Sequence, residues 1–262
     1  MSSRAQRGIT SFAVAARWQA NRVKISVIIP AYNEHNTVAE TIARVRASPA
    51  FRAIPSVSEG PRPSLHECEI IVVDDASTDD TAEIVAALAA DGLTLVRQAR
   101  NQGKGAAIRR GLEAVTGDVV IIQDADLEYD PADYPALVAP IASGEAAVVY
   151  GTRAPRFEGM RWPHRAFNWL AALLANLLYR AGITDEATCY KVFRTEVLRG
   201  IPLKCERFEF CPEITAKVRK RGIKIVEVPV SYHARTIGAG KKIRWWDGVV
   251  ALWTLVKYRF RD

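Results

Sequence analysis

Asp124 and Asp126 close the run Val119-Val-Ile-Ile-Gln-Asp-Ala-Asp-Leu-Glu128 as an Asp-x-Asp pair, with Glu128 two residues beyond. An apolar, β-rich run that stops at two carboxylates sets them at a strand's C-terminal edge, where open α/β sheets bind ligands and a hard cation can bridge to phosphate oxygens. In outline this is a nucleotide-diphosphate site. Taken alone, an acid pair after a strand is more often a solvated turn. Two further loops change its weight. Pro30-Ala-Tyr-Asn-Glu34 follows the first apolar run and Asp74-Asp75 ends the second. Strand C-termini of a parallel sheet converge on one edge, so an aromatic ring and several carboxylates are expected to line a single crevice.

The elements that must position these loops follow from the pattern. The chain has 262 residues, 49% of them hydrophobic, enough for one large α/β domain with appended elements and short for two. From residue 24, strand and helix patterns alternate. Strands are expected over 24–30, 69–74, 93–97, 118–123 and 146–150, and helices over 36–47, 78–90, 105–115 and after Pro131. This alternation predicts a mostly parallel sheet with helices on both faces. Residues 49–67 hold four prolines and read as a surface loop. Later segments read as an apolar helix over 167–179, a helix over 206–221 and a strand over 223–230. The last segment, 243–260, has an apolar centre flanked by Trp and Lys/Arg, the composition of an amphipathic helix lying in a membrane interface. Docking on the sheet is the other arrangement open to it.

Charge is uneven along the chain. The formal net charge is +7, yet residues 1–24 carry five Lys/Arg and no acid, residues 189–262 carry 17 against seven acids, and the middle is acidic. An acidic centre suits a cation-dependent site, and basic ends suit an anionic surface such as phospholipid headgroups. Residues 1–23 read as a basic disordered tail. No motif with interleaved aromatic and basic residues is present, so no nucleic-acid partner is expected. No stretch reaches the ~20 apolar residues that span a bilayer. Cys68, Cys189, Cys205 and Cys211 show neither Cys-x-x-Cys nor zinc-site spacing, which predicts reduced thiols. Gly103-Lys-Gly105 fits neither dinucleotide nor P-loop spacing, no nucleophile elbow occurs, and His35, His66, His164 and His233 are expected to have no catalytic role.

Val27-Ile-Ile-Pro-Ala-Tyr-Asn-Glu34, Val72-Val-Asp-Asp-Ala-Ser-Thr-Asp79, Asn101-Gln-Gly-Lys-Gly-Ala-Ala107 and the Asp-x-Asp pair together resemble the inverting family 2 glycosyltransferases of the GT-A fold, over about residues 24–242. The resemblance implies a single GT-A-type domain, with 24–150 as a nucleotide-sugar half and 151–242 as an acceptor half. It implies that Pro30, Tyr32, Glu34 and Asp75 hold base and ribose. Asp124, Asp126 and Glu128 would gather Mg²⁺ or Mn²⁺. The residue types agree: Tyr32 offers a face for stacking, Glu34 and Asp75 offer acceptors, Lys104 offsets phosphate charge, and Gly103 and Gly105 permit close backbone approach.

A narrower resemblance is to the dolichyl-phosphate mannosyltransferase group. Gly151-Thr-Arg153, Arg165, Asp185-Glu-Ala-Thr-Cys-Tyr-Lys-Val-Phe-Arg194 and Arg235-Thr-Ile-Gly-Ala-Gly-Lys241 carry it. It implies transfer of a hexose from a nucleotide sugar (GDP-mannose or UDP-glucose type) to a polyprenyl or dolichyl phosphate. Arg153, Arg165 and Arg235 would bind the acceptor phosphate, and Lys241 would sit on a mobile loop near the diphosphate. A peripheral position on the cytoplasmic face of a membrane follows, with a separate small membrane subunit as partner. Cys189 stands where the group often has Gly, and Phe208-Glu-Phe210 departs from its pattern near the sugar pocket. A phosphate acceptor needs little general-base help, because its second pKa is near ~6. The alternative activity is transfer to the hydroxyl of a soluble saccharide or polymer, which would need a carboxylate base such as Asp185 or Glu186.

Overall fold

Ile25, Val27, Ile28 and Ile29 are all fully buried in β1 (Lys24–Ala31). Consecutive burial in a strand means that both faces are covered. The computed structural model describes residues 23–51, 67–89, 92–155, 157, 159–160, 162–234 and 245–261. The tail expected over 1–23 (Val23 apart), most of the 49–67 loop, and both Arg235 and Lys241 lie outside the described residues.

Parallel partners flank β1. β2 (Glu67–Asp74) lies on one side with β3 (Leu93–Arg97) beyond it, and β4 (Val119–Ile122) on the other. Beyond β4 come β6 (Lys191–Arg194), β5 (Val148–Thr152) and β7 (Val226–Pro229). The sheet order is β3-β2-β1-β4-β6-β5-β7, with β6 antiparallel to both neighbours. The chain leaves β1 in one direction across the sheet and reaches β4 from the other, which puts a crevice beyond the β1 and β4 C-termini. Register holds the three loops level: Ala31 pairs with Asp74, and Ile28 with Ile122.

Helices α1 (Val38–Ala47), α2 (Thr81–Ala87), α3 (Lys104–Ala114) and α4 (Tyr134–Ala142) follow β1 to β4 in turn. The predicted order therefore holds, with ends shifted by a few residues. The expected division at 150/151 falls inside β5, so the two halves share one sheet.

Differences concentrate in the C-terminal part. The helix expected over 167–179 begins earlier, as α5 (Trp162–Tyr179), and the one expected from 206 begins later, as α7 (Phe210–Lys220). Neither β6 nor the short α6 (Thr195–Arg199) was expected as an element. β6 is hidden because its first residue, Lys191, is a fully buried cation. Its ammonium donates to the Glu186 carbonyl (2.9 Å) and lies 3.7 Å from the Tyr150 ring centroid.

Of the two arrangements left open for the C-terminal segment, docking is seen for one face of α8 (Trp245–Phe260), against helices rather than the sheet. It packs on α5 and α7, burying Thr254, Leu255 and Tyr258, and the Leu255 carbonyl accepts from the Tyr179 hydroxyl. Its other face is not covered by any described residue. Trp246, Trp253 and Phe260 on α8, with Trp162, Trp169 and Leu177 on α5, are each more than half exposed. No helix among the described residues is long and apolar enough to cross a membrane.

Candidate active site

The loops after β1 and β2 are laced together by their backbones and short polar side chains. Asp75 N–H donates to the Ala31 carbonyl (2.8 Å), Asn33 N–H to Ser77 Oγ (2.9 Å) and Glu34 N–H to Thr81 Oγ1 (2.8 Å). Asn33, at φ 51°, accepts from Thr78 N–H (2.8 Å). Asn is among the few residues that take this conformation readily, so the Tyr-Asn-Glu order has a local structural cause. The two loops form one wall.

That wall, the β4 edge and α3 enclose a cleft of about 670 Å³. Pro30, Tyr32, Glu34, Asp75, Lys104, Asp124, Asp126, Glu128 and Arg153 all line it. Arg165 does not: it is exposed on α5, its guanidinium carbon 5.8 Å from the Phe157 ring. The far end is lined by α5 and α8, through Phe167, Asn168, Ala171, Gly248, Ala251 and Leu255.

Asp75 is already heavily used. Its Oδ1 accepts from Gln98 Nε2 (2.7 Å) and Gln102 N–H (2.8 Å), and its Oδ2 from Gly103 N–H (2.7 Å). Burial raises its pKa even against these amides. It anchors the 98–103 loop and keeps part of its accepting capacity for a ligand. Gly103 and Gly105 do permit a close backbone approach, but to protein. A Cβ on Gly103 would stand 2.6 Å from the Glu206 carbonyl, and one on Gly105 would stand 3.0 Å from that of Arg207. Those carbonyls accept from Ala106 N–H (3.0 Å) and Gly105 N–H (3.1 Å). The first turn of α3 is thus capped by the 205–207 segment.

The carboxylates after β4 are not gathered into a cage. Asp124 pairs with the Lys104 ammonium at 2.5 Å. Burial works against that cation most strongly of any single cause, yet Asp124 and, beside it, Cys189 and Cys211 together hold its pKa well above the usual lysine value. Asp126 Oδ1 accepts from Glu128 N–H (3.2 Å), while Glu128 Oε2 accepts from the Tyr232 hydroxyl (3.1 Å). Among the described residues no three His, Cys, Asp or Glu side chains converge on one point, which departs from the expected three-carboxylate set. The donor chemistry still suits a hard cation. Mg²⁺ binds through one or two carboxylates plus phosphate oxygens and waters rather than through an all-protein cage, and Asp124 and Asp126 supply such a pair.

Arg153 is not surface charge. Its side chain is 7% exposed and forks onto Asp185, 0% exposed, with Nε to Oδ2 and Nη2 to Oδ1 both 2.7 Å. The Tyr232 ring lies 5.0 Å and the Tyr129 ring 5.9 Å from the guanidinium carbon. The two side-chain contacts to Asp185 use Nε and Nη2, not Nη1. Asp185 is thereby committed, which removes it as a general base. No local pattern links two residues 32 apart, and so the pair was not legible in the sequence.

Residues 26–201 match the family model described as Glycosyl transferase family 2. The chain is 30% identical over 224 residues to dodecaprenyl-phosphate galacturonate synthase of Rhizobium johnstonii, covering 84% of this chain and 62% of the relative. It is 27% identical over 230 residues to undecaprenyl-phosphate mannosyltransferase of Micrococcus luteus, covering 84% and 87%. With dolichol-phosphate mannosyltransferase of Pyrococcus furiosus it shares 28% identity over 224 residues, covering 84% and 59%. The chain spans less than two thirds of the Rhizobium and Pyrococcus relatives. In fold it is similar to glucosyl-3-phosphoglycerate synthase of Mycobacterium tuberculosis in complex with Mn²⁺ and UDP (TM-score 0.64, 23% identity, 95% of this chain and 85% of that one). Mannosyl-3-phosphoglycerate synthase of Rubrobacter xylanophilus is a second such structure (TM-score 0.67, 21% identity, 95% and 76%).

Proposed function

Because the chain belongs to glycosyl transferase family 2, we propose that it moves a hexose from a nucleoside-diphosphate sugar to a polyprenyl or dolichyl phosphate at a membrane surface. One observation carries the reading. Pro30, Asp75, Asp124 and Asp126 meet in a single cleft whose other end is lined by α5 and α8, the two helices that carry the exposed aromatic residues. A polar donor end and an apolar end beside a lipid-facing surface suit an acceptor with a phosphate head and an isoprenoid tail. The names of the Rhizobium, Micrococcus and Pyrococcus relatives point the same way.

In this mechanism Tyr32 stacks on the base, and Glu34 and the spare capacity of Asp75 accept from base or ribose. Asp124 and Asp126 would hold Mg²⁺ or Mn²⁺. When bound, that ion supplies charge stabilisation to the departing diphosphate. Lys104, seated on Asp124, adds a second positive charge at the same end. The acceptor phosphate is already ionised at neutral pH, so Arg153 Nη1 need only orient it for in-line attack at the anomeric carbon, with inversion. Arg235 remains a candidate for the same anion and Lys241 for the departing diphosphate, while Arg165, which does not line the cleft, is not assigned to it. The test is transfer by the intact chain from a panel of labelled nucleotide sugars to polyprenyl phosphate, with and without divalent cation. Cation-dependent labelling from one donor is expected, and no labelling from any donor, with or without cation, would reject the activity.

The two faces of α8 make separable predictions. Leu255→Ala opens the buried face and is expected to cost ~2–5 kcal/mol of stability. Trp246→Ala with Trp253→Ala should leave the unfolding midpoint unchanged and weaken sedimentation with anionic vesicles at least about tenfold, since burying a large apolar side chain is worth roughly 1.5–3 kcal/mol. Vesicle binding of the double variant equal to wild type would reject the membrane-facing assignment.

A further inference from the structure

We propose that the C-terminal ends of α5, α7 and α8 form a cationic surface that binds the headgroups of anionic phospholipids, about 20 Å from the cleft. Binding there does not depend on sugar transfer. Only its use, to set the cleft mouth at the membrane, rests on the function proposed above.

Tyr179, the last residue of α5, donates to the Leu255 carbonyl of α8, and nearer the helix starts a Cβ on Gly248 would stand 3.0 Å from the Phe167 ring. The two helices therefore run side by side in the same direction. Their N-terminal halves line the cleft through Phe167, Gly248 and Ala251. From Phe167 to Arg180, at about 1.5 Å per residue, their C-terminal ends lie roughly 20 Å away. α7 joins them there. Arg219 Nη2 donates to the Arg180 carbonyl (2.8 Å), and Lys220 Nζ donates to that of Arg261 (3.1 Å). Burial raises the Tyr179 pKa and the nearby Arg259 cation pulls it down, which places Arg259 beside the end of α5. Arg180, Lys220, Lys257, Arg259 and Arg261 are thus gathered at one end of three helices, and all are exposed.

Basic residues at helix C-termini ordinarily offset the helix dipole. Three such ends carry only about half a negative charge each, well short of the charge on these side chains. Arg180, Lys257, Arg259 and Arg261 make no ion pair with any described carboxylate. Most of the positive charge is therefore left for a partner. That partner must also meet apolar groups. Leu177 and Phe260 are 72% and 81% exposed at the same end. Lys257 follows Trp253 by four residues and precedes Phe260 by three, a spacing that sets the three on one stripe of α8. A nucleic acid would satisfy the cations and leave Leu177 and Phe260 in water. A bilayer surface takes both, with cations at the headgroups and aromatic and aliphatic side chains just below them. Attached here and through Trp246 and Trp253, the protein lies with α5 and α8 along the membrane plane.

Sedimentation of the full chain with phosphatidylcholine vesicles, with and without phosphatidylglycerol, tests this. The wild type should bind the phosphatidylglycerol vesicles more tightly, and salt should weaken that binding. Combining Arg180→Gln, Lys257→Gln and Arg259→Gln should lower affinity for them about a hundredfold. Binding of the triple variant to pure phosphatidylcholine, its unfolding midpoint and its transfer to detergent-dispersed polyprenyl phosphate should match the wild type. Arg180→Lys with Arg259→Lys keeps the charge and should keep wild-type vesicle binding. Wild-type affinity of the triple variant for phosphatidylglycerol vesicles would overturn the proposal. So would displacement of the wild type from those vesicles by inorganic phosphate at constant ionic strength, which would mark a discrete ion site. A loss confined to binding of a DNA duplex would overturn it too. Should the wild type transfer sugar to no acceptor, the proposed function fails, and the vesicle comparison still decides this surface.

Discussion

Asp126→Asn is expected to lower sugar transfer about a thousandfold or more, a loss of roughly 4 kcal/mol of transition-state stabilisation at the departing diphosphate. The substitution removes a charge from the cation pair. Asn keeps the size of Asp, and its Oδ1 can still accept from Glu128 N–H as Asp126 does now. Asp124→Asn is the less clean variant, because it also strips the counter-ion from the buried Lys104 ammonium. Calorimetry of nucleoside diphosphate binding with Mg²⁺ or Mn²⁺ separates the causes. Metal-supported affinity should fall with activity in Asp126→Asn, while the unfolding midpoint stays in place. An Asn variant with wild-type turnover and wild-type metal dependence would remove Asp126 from the cation site.

The second large effect is on stability. Arg153→Ala leaves the Asp185 carboxylate buried with no cation beside it, and breaking a buried pair from one side typically costs 3–5 kcal/mol. For a chain of this size that is a fall in melting temperature of roughly 6–20 °C. Arg153→Lys should recover little of it, because an ammonium cannot reproduce the two-pronged contact with Asp185. The double variant Arg153→Met with Asp185→Asn should recover more, since it removes both charges. Thermal unfolding of the three variants checks this. An unchanged midpoint in Arg153→Ala would return that residue to the surface.

How far the sequence leads depends on whether the cause of a feature is local. β1, β2 and β4 were legible because runs of Ile and Val buried on both faces leave no other reading, and each ends in residues that cannot stay in the sheet core. The loops after these strands could be aligned at one edge from topology alone. β6 was not legible, since four residues beginning with a lysine carry no strand pattern, and Lys191 is buried only because a carbonyl and a ring some distance away receive it. Arg153 was singled out, but the partner that holds it is 32 residues off, and no spacing rule reaches that far. Gly103 and Gly105 were rightly identified as positions of close approach. What approaches them, the 205–207 segment, depends on a long-range packing that glycine spacing cannot specify. For α8, composition left docking and interfacial exposure as alternatives; one face docks on α5 and α7, and the other exposes Trp246, Trp253 and Phe260.

The most direct test of the central claim is the fate of labelled sugar when the protein is offered polyprenyl phosphate, the same polyprenol without its phosphate, and a water-soluble saccharide in parallel. With the preferred donor and divalent cation, label should enter the organic phase only with polyprenyl phosphate, and the product should carry the anomeric configuration opposite to that of the donor. Label on the soluble saccharide, with none on polyprenyl phosphate, would contradict the account.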